Sequence, residues 1–341
     1  MKVLVIGGTG NISSAIVAKL LAEGHQVTTL NRGLRPTRYD GGELETLIAD
    51  RSDREGFKAL LQKRRFDAVI DMLAYTAEDA ESTLCALSEN TAHIVFTSTV
   101  AAYRRPFPSA PIREDFPKYD TPIFPYGYEK AKMEAYIQTR MDEGLPITVI
   151  RPSLTYGIGC KNIGVMRNNY GIIDRMRKGK RIVQFGDGTN PWAWTFAPDL
   201  ALAYVYSLGR EACMGQFYHA TSDDHHIWDD LYLTFGKIIG VESRLVHIST
   251  EMLMSAAPET FLHVNQEKMY CGIFDNTKIK KDVPEFVCKY TLEGMLRKIV
   301  AWYESDESAR VVNGKLDQLE DALLEKYDRI MDIWMSDTSK L

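Results

Sequence analysis

Short apolar runs alternate with helix-like patterns through the first half of the chain. Between the first two runs, Ile12, Ile16 and Leu20 recur every four residues, and Gly24 stands where a helix would end. Six apolar runs are expected to be strands, at residues 3–8, 27–30, 46–49, 68–73, 93–98 and 147–152. Since parallel strands need long crossover connections, this alternation predicts an α/β fold: a doubly wound parallel sheet between two layers of helices.

The regular alternation stops after about residue 157, and aromatic residues and glycines cluster between residues 185 and 201. In the tail, apolar residues spaced three or four apart from Leu316 to Trp334 predict an amphipathic helix packed on the body. We therefore expect one domain over residues 1–157, with a return segment near 194–224. A smaller C-terminal substrate lobe is expected to comprise residues 158–193 and 225–341.

The composition is that of an ordinary globular protein. The 341 residues are 45% hydrophobic and 26% charged, with 41 Lys and Arg against 46 Asp and Glu, a formal net charge of −5. This mild negative charge argues against a nucleic-acid partner. The apolar runs are too short for a membrane span or a secretion signal, and the five scattered cysteines include no C-x-x-C pair. A cytoplasmic protein with reduced thiols is expected.

The sequence GGTGNIS follows the first predicted strand and opens the first helix. Gly7 permits a tight turn there, and Gly10 lets the backbone approach a pyrophosphate without a Cβ in the way. The helix N-terminus, at Asn11 and Ile12, then supplies free N–H groups and a positive dipole end. Ser13 takes the place of a third glycine and is small enough to keep the helix close to the strand. These features predict a dinucleotide site.

The tip of the second strand, about 20 residues after the glycines, contacts the adenosine ribose in such sites. NAD enzymes place a carboxylate there, whereas this chain has Asn31 and Arg32. A carboxylate would repel a 2′-phosphate, while the arginine offers it a fork of donors. The pair favours NADP(H), with NAD(H) as the alternative. Asp50, after the third strand, is a candidate acceptor for the adenine amino group.

The segment PYGYEKAKMEAY begins a helix in which Tyr126 and Lys130 share one face. A phenol has a reference pKa of about 10, and a neighbouring ammonium favours its ionised form. The pair is therefore a candidate proton relay, although Tyr128 and Lys132 repeat the same spacing. Thr99 follows the fifth strand at the sheet edge where ligands bind, so its hydroxyl can hold a substrate oxygen.

Together these features resemble the extended short-chain dehydrogenase/reductase superfamily, in its NAD-dependent epimerase/dehydratase family. The similar segments are GGTGNIS, ADRSD, VIDMLAY, FTSTVAAY, PYGYEKAKME, RPSLTYGIG, FGDGTN and WTFAPDLA. The resemblance implies a Rossmann domain that binds NAD(P). Its Tyr-Gly-x-Ser-Lys pattern, followed by Glu, fits Tyr126, Lys130 and Glu134, and does not fit the Tyr128/Lys132 pair.

The resemblance also implies roles for residues that spacing alone does not single out. Thr99 matches the residue that orients the substrate oxygen, Tyr75 and Trp194 are candidate substrate contacts, and a homodimer is expected. Further cofactor contacts are expected at Arg51, Leu73, Ala74, Thr97, Pro152 and Ser153.

One departure concerns the substrate. Nucleotide-sugar members of the family usually carry an Arg seven residues before the position of Asp199, where this chain has Trp192. A tryptophan cannot neutralise a diphosphate but can stack on a sugar ring. A sugar-like or other polyhydroxylated small molecule without a nucleoside diphosphate is therefore expected.

Three functions remain open from the sequence. An NADP-dependent reductase or dehydrogenase is favoured, followed by a sugar epimerase or dehydratase that retains its cofactor, and then by a non-catalytic NADP-sensing or RNA-binding protein. A metal centre in the segment from His219 to Asp230 is not expected, because the adjacent His225 and His226 would need an irregular loop to converge.

Overall fold

The computed structural model describes residues 1–34, 44–160 and 162–338. Its strands are β1 (Lys2–Ile6), β2 (Gln26–Asn31), β3 (Leu44–Ile48), β4 (Phe66–Asp71), β5 (Thr91–Thr97), β6 (Ile147–Pro152), β7 (Leu154–Tyr156), β8 (Ile182–Phe185), β9 (Pro191–Phe196), β10 (Gln216–Ala220), β11 (His225–Ile227) and β12 (Leu245–Ile248). Its α-helices are α1 (Asn11–Ala22), α2 (Arg54–Leu61), α3 (Ala77–Leu87), α4 (Pro125–Asp142), α5 (Tyr170–Arg177), α6 (Ala197–Ser207), α7 (Trp228–Ile239), α8 (Thr250–Ala256), α9 (Pro258–His263), α10 (Thr277–Asp282), α11 (Leu292–Ser305) and α12 (Gly314–Thr338).

Seven strands form one parallel sheet in the order β10-β6-β5-β4-β1-β2-β3. All six strands expected from the sequence are present, and the predicted α/β fold is confirmed. The seventh strand, β10, comes from the expected return segment. The strand order reverses at β1, which lies between β2 and β4, so the carboxyl ends of β1 and β4 border the crevice where such sheets bind ligands.

The two faces of the sheet are covered by different helices because alternate strand residues point in opposite directions. On one face, Val3 and Val5 of β1 belong to an apolar core with α1, α6 and α10. On the other face, Leu4 and Ile6 belong to a core with α2, α3 and α4. Burial on both sides explains why the central strands are continuous apolar runs rather than alternating ones.

The chain divides into two compact units. The first comprises Met1–Gly157, Ala193–Asp223 and Ile273–Lys289, and the second comprises Ile158–Trp192, Asp224–Gly272 and Tyr290–Leu341. Residues 273–289, expected in the second lobe, cluster with the first unit instead. The physical reason is that Ile279 and Val283 pack into the sheet core, and Asp275 N–H donates to Ile112 O across 2.8 Å.

In the second unit, β8 and β12 form a parallel pair. No helix among residues 1–34, 44–160 and 162–338 combines the length and apolar character needed to cross a membrane.

Helix α12, in the second unit, is held by a cluster of ion pairs at its beginning. The buried Arg175 lies 2.6 Å from Asp317, 3.2 Å from Glu320 and 2.9 Å from Asp321. The predicted amphipathic helix is therefore present, and Leu323 and Leu324 are buried, as expected for a helix packed on the body. Trp334, at the end of the predicted apolar series, is 68% exposed, and the ion pairs of the helix with Arg175 and Arg181 lie between Asp317 and Asp328.

Within this cluster, Glu320 has an unusually high pKa for a carboxyl group. Burial raises its pKa to about 7, against the opposing charge of Arg175, while the carboxylates of Asp317 and Asp321 raise it further. Its carboxyl also accepts the Val183 N–H at 2.9 Å. Because folding favours the protonated form, this group's contribution to stability falls as pH rises from about 4.5 to about 7.

A Glu320→Gln variant is therefore expected to remove this component of the pH dependence. The amide oxygen can still accept the Val183 N–H, while the buried carboxylate charge that Asp317 and Asp321 repel is gone, and those two residues still pair with Arg175. We expect the variant to gain stability over the wild type by about 1–3 kcal/mol between pH 5 and pH 8, measured by urea unfolding. Parallel pH profiles for the two proteins would contradict the assignment.

Candidate active site

The predicted phosphate loop lies between β1 and α1. Gly7 has a positive φ of 90°, and a Cβ at this position would lie 2.6 Å from Cγ of Leu73, so only glycine fits. Gly10 precedes the first turn of α1 in extended conformation. The loop therefore brings bare backbone to a helix N-terminus, which is the arrangement that binds a pyrophosphate.

Ser13 is not only small enough for this position; its side chain also makes two hydrogen bonds within the loop. Its buried hydroxyl donates to Gly7 O across 2.5 Å and accepts the Gly10 N–H at 2.8 Å. The sequence predicted only that a small residue was needed here. The signal that was missed is that a hydroxyl has both a donor and an acceptor, and the loop has one free partner of each kind.

A cleft of about 660 Å³ opens beside the phosphate loop, within the first unit. Eight of the predicted cofactor and substrate residues line it: Gly7, Gly10, Asn31, Arg32, Asp50, Arg51, Leu73 and Tyr75. The lining also includes residues that the sequence reasoning did not single out: Thr9, Leu30, Leu34, Ala49, Ser52, Arg54 and Asp79. The adenosine and phosphate half of the predicted site is therefore brought together in one place.

At the tip of β2 the cleft presents hydrogen-bond donors. Asn31 is 8% exposed, and its Oδ1 accepts the Gly33 N–H at 2.8 Å. That contact orients the amide so that Nδ2, within the described part of the chain, has no hydrogen-bond partner. Arg32 lines the cleft beside it. A donor without a partner next to a cation is suited to an anionic group.

Asp50 lies on the same cleft, at the end of β3. Its Oδ1 accepts the Ser52 N–H at 2.9 Å and the Ser52 hydroxyl at 2.8 Å. These hydrogen bonds hold the pKa of Asp50 below its ordinary value, so the side chain is an ionised acceptor.

The Arg51 guanidinium is held by hydrogen bonds to neighbouring residues. Its Nη1 lies 3.0 Å and 3.1 Å from the two carboxylate oxygens of the buried Asp71, and Nη2 donates to Asp79 O at 2.7 Å. Asp71 in turn accepts the N–H groups of Leu73 at 2.8 Å and Ala74 at 2.9 Å. The guanidinium thus shapes the turn after β4 that borders the cleft, while Arg51 also lines the cleft, so the expected cofactor contact stays a prediction.

Lys130 is buried on α4 and connects two segments of the sheet edge. Its Nζ donates to Ala74 O and to Thr97 O, each across 2.7 Å. It also lies 4.9 Å from the centre of the Tyr75 ring, which is 49% exposed. Burial lowers the pKa of Lys130 to about 8, although the carboxylate of Asp71 opposes this. The amine is still mainly protonated at neutral pH.

Tyr126 lies in the first turn of α4 and is 45% exposed. The next residue, Gly127, sets how closely the helix approaches the 3₁₀ segment Val100–Ala102, because a Cβ there would lie 2.3 Å from Ala101 O. Thr99 precedes that segment, and its hydroxyl accepts the Ala101 N–H at 3.1 Å. The glycine therefore allows the tyrosine turn and the threonine segment to pack against each other.

The alternative pair, Tyr128 and Lys132, has a different environment. Lys132 is exposed and lies 3.3 Å from the carboxylate of Glu129 on the same helix. A solvated amine paired with a neighbouring carboxylate is an ordinary surface feature. The buried position of Lys130 supports the register that the family resemblance selected.

One turn beyond Lys130, Glu134 forms a buried ion pair with Arg151 of β6. Nε and Nη2 of the arginine donate to the two carboxylate oxygens across 2.8 Å and 2.7 Å. Burial alone would raise the pKa of Glu134, but the charge of Arg151 lowers it to about 2. Arg151 also donates to the hydroxyl of Tyr103 at 2.6 Å. This pair fixes α4 to β6.

Asn11 and Ile12, two expected cofactor contacts at the start of α1, direct their side chains to other parts of the protein. The Asn11 Nδ2 donates to Thr155 O at 3.0 Å, which links the loop to β7. Ile12 packs against the sheet core. Their backbone N–H groups, rather than their side chains, belong to the helix N-terminus that faces an anion.

The remaining expected cofactor contacts lie at the ends of β5 and β6. The Thr97 hydroxyl donates to Sδ of Met72 at 3.0 Å. Pro152 ends β6, and the hydroxyl of the following Ser153 donates to Ala193 O at 2.9 Å. These residues lie outside the lining of the 660 Å³ cleft.

The expectation that Trp192 stacks on a sugar ring is contradicted by its complete burial. Its ring lies against Lys268 at 4.6 Å and Trp228 at 6.2 Å, and a Cβ on Gly272 would lie 2.3 Å from it. Trp194 is also buried, at 4% exposure. Both indoles are core residues here, because β9 runs through packed apolar surroundings. Of the three expected substrate contacts, only Tyr75 is exposed.

The parallel sheet, its reversal at β1 and the glycine loop define a Rossmann-type, nicotinamide-dinucleotide-dependent enzyme. Residues 3–217 match the NAD dependent epimerase/dehydratase family, and the chain belongs to this family.

Relatives within and around this family differ in what they are named for. The chain is 26% identical to a 2′-dehydrokanamycin reductase of Streptomyces kanamyceticus, over 74% of this chain and 70% of the relative. It is also 26% identical to the chloroplast stem-loop binding protein of 41 kDa b of Arabidopsis thaliana, over 72% of this chain and 65% of that relative. A solved UDP-glucose 4-epimerase of Thermotoga maritima has the same fold, with a TM-score of 0.71, 21% identity, and coverage of 89% of this chain and 99% of that one.

Proposed function

We propose that this protein is an NADP(H)-dependent reductase or dehydrogenase that acts on a carbonyl or hydroxyl group of a sugar-like small molecule. The observation that carries the proposal is the buried Lys130, held by two backbone carbonyls one turn after the exposed Tyr126. Its amine forms no ion pair with any residue that the structure describes, and a buried amine one turn from an accessible phenol fits a proton-transfer pair better than a surface pair.

The residues present fit a nicotinamide dinucleotide. The loop at Gly7 admits backbone where any side chain would clash, and the buried Asn31 Nδ2 is left with a donor to satisfy. Gly10 and the start of α1 would hold the pyrophosphate, and Asn31 with Arg32 would hold the adenosine ribose. When bound, the dinucleotide supplies a carbon that gives or accepts hydride.

The chain's own residues handle the proton. During reduction Tyr126 donates its hydroxyl proton to the substrate carbonyl oxygen, and during oxidation its phenolate takes the proton from the substrate hydroxyl. Lys130 stabilises the phenolate through its positive charge. Thr99 holds the substrate oxygen by donating its hydroxyl hydrogen, since its own oxygen already accepts the Ala101 N–H.

Two observations favour net reduction over a reaction that retains its cofactor. The adenosine end lacks the β2 carboxylate that favours NAD, and 2′-dehydrokanamycin reductase is among the relatives. An epimerase or dehydratase with tightly held NAD is the second candidate, supported by the family itself. The sugar-like substrate class is proposed from the same relatives. A homodimer is proposed from the family resemblance, and a cytoplasmic location from the scattered cysteines without a C-x-x-C pair.

The test begins with the cofactor that survives purification, identified by absorbance and mass spectrometry. Loss of NADPH absorbance is then followed with a panel of keto-sugars and other polyhydroxylated ketones. We expect little retained cofactor and consumption of one NADPH per substrate reduced. Retained NAD with product isomerisation and no net NADPH consumption would favour the epimerase instead.

The position of Arg32 gives a prediction for cofactor choice. An Arg32→Ala variant is expected to raise the KM for NADPH about 10- to 100-fold, because a charge-assisted contact to the 2′-phosphate contributes about 1.5–3 kcal/mol. The KM for NADH, which has no such phosphate, is the internal control and is expected to change less than about twofold. Equal changes for both cofactors would contradict the proposed role.

An RNA-binding function is the third candidate, and the named stem-loop binding relative is the observation in its favour. The net charge of −5 opposes it, since phosphate contacts dominate nucleic-acid affinity. Salt-sensitive binding of stem-loop RNA, together with no turnover across the substrate panel, would support it over the enzyme.

A further inference from the structure

The phosphate loop contains an internal hydrogen-bonded bridge, the Ser13 hydroxyl with its two partners. Ser13 is 2% exposed and stands one turn into the loop-helix junction, where the pattern usually has glycine. Its hydroxyl uses its single hydrogen on Gly7 O and accepts the Gly10 N–H. The bridge therefore joins the first and last glycines of the turn through one side chain.

Both ends of the bridge are fixed independently to the rest of the first unit. Gly7 N–H donates to Leu30 O of β2 at 2.8 Å, and Gly10 O accepts the Ser14 N–H of α1 at 3.0 Å. Because both glycines are held in this way, the backbone between Gly7 and Gly10 has few other conformations available to it. A loop closed in this way needs no rearrangement before an anion binds, so less conformational entropy is lost on binding.

We propose that Ser13 is a positioning residue that holds the loop in its pyrophosphate-binding conformation before the dinucleotide arrives. This inference rests on the proposed function, because it assigns Ser13 a part in cofactor affinity rather than in the chemical step. In a loop with glycine at this position, the Gly7 carbonyl and the Gly10 N–H have no such partner. In this chain the Ser13 hydroxyl makes those two hydrogen bonds and so fixes the conformation of the loop.

The test compares two variants that lack the hydroxyl, Ser13→Ala and Ser13→Gly, with Ser14→Ala as the matched control. The Ser14 hydroxyl donates to Gly10 O, four residues earlier at the N-cap of the same helix, at 2.6 Å, and makes no other hydrogen bond with the described residues. Binding of NADPH is measured directly by titration of its fluorescence. Binding of 2′-AMP, which keeps the 2′-phosphate but has no 5′-phosphate, is measured by calorimetry, and the unfolding midpoint of each unliganded protein is recorded.

We expect both Ser13 variants to bind NADPH about 5- to 30-fold more weakly, the effect of losing one or two ordinary hydrogen bonds. Their affinity for 2′-AMP is expected to stay within about twofold of the wild type, because that ligand has no 5′-phosphate to bind at the loop. Ser14→Ala is expected to bind both ligands normally. At saturating cofactor, kcat is expected to be unchanged in all three.

The outcomes separate this inference from the proposed function. If the wild type binds NADPH and both Ser13 variants bind it within twofold, the role of Ser13 is overturned and the proposed function stands. If 2′-AMP binding falls as much as NADPH binding, the hydroxyl supports the whole fold rather than the loop, and the inference is again overturned. A wild type that binds neither NADPH nor NADH overturns both.

Discussion

A Tyr126→Phe variant is expected to lose about 10²- to 10⁴-fold in kcat while it still binds the dinucleotide, because general acid–base catalysis contributes about that much. Phenylalanine keeps the ring and removes only the hydroxyl that gives or takes the proton. The side chain is 45% exposed in the first turn of α4, so the change is not expected to disturb the core. Steady-state turnover of the substrate found in the panel, with NADPH titration in parallel, measures the two effects separately.

Tyr128→Phe is the matched control for this prediction. It removes a hydroxyl from the same helix, two residues away, from the pair whose lysine is exposed and bound to Glu129. We expect less than a twofold change in kcat. Loss of turnover in Tyr128→Phe with normal turnover in Tyr126→Phe would move the proton relay to the other register.

A Glu134→Gln variant is expected to reduce the free energy of unfolding by about 3–5 kcal/mol, the cost of breaking a buried ion pair from one side. The substitution leaves the guanidinium of Arg151 buried with its charge unmatched, since both donors at 2.8 Å and 2.7 Å lose the carboxylate. Urea unfolding followed by tryptophan fluorescence at neutral pH measures the difference.

The same pair has a defined pH dependence. The pKa of Glu134 is lowered to about 2 in the folded protein, so its contribution is present above about pH 4.5 and is lost as pH falls towards 2. The difference between wild type and Glu134→Gln should shrink over that interval. Glu129→Gln, which breaks only an exposed pair, is the control and is expected to change stability by less than about 1 kcal/mol.

The sheet and the phosphate loop were predictable because each depends on local pattern. Continuous apolar runs such as that of β1 mark strands buried on both faces, and Gly7 occupies a conformation that only glycine takes easily. Tyr126 and Lys130 were predictable as a pair from their spacing. The choice over Tyr128 and Lys132 needed either the family resemblance or the burial of Lys130, and spacing contains neither.

Other features depend on contacts that are distant in sequence. Nothing in the spacing of Arg51 shows that Asp71, 20 residues away, holds its guanidinium. From the sequence alone, Trp192 is a plausible residue to stack on a sugar ring. In the structure it is enclosed by Lys268 and Gly272, which lie about 80 residues later in the chain. The apolar spacing that predicts α12 continues to Trp334, which is 68% exposed, although the ion pairs that hold the helix to Arg175 and Arg181 lie between Asp317 and Asp328. Periodicity describes one helix and contains no information about where its neighbours stop.

The two carbonyls that hold Lys130 have a consequence for reading related sequences. Because the amine ties α4 to both Ala74 and Thr97, it serves the architecture of the sheet edge whether or not any reaction occurs there. A descendant that abandons turnover is therefore under no structural need to keep a phenol at position 126, yet it would be penalised for losing the amine. Under the proposed function, the lysine alone therefore indicates the fold, and only the lysine together with the hydroxyl at position 126 indicates the proton transfer.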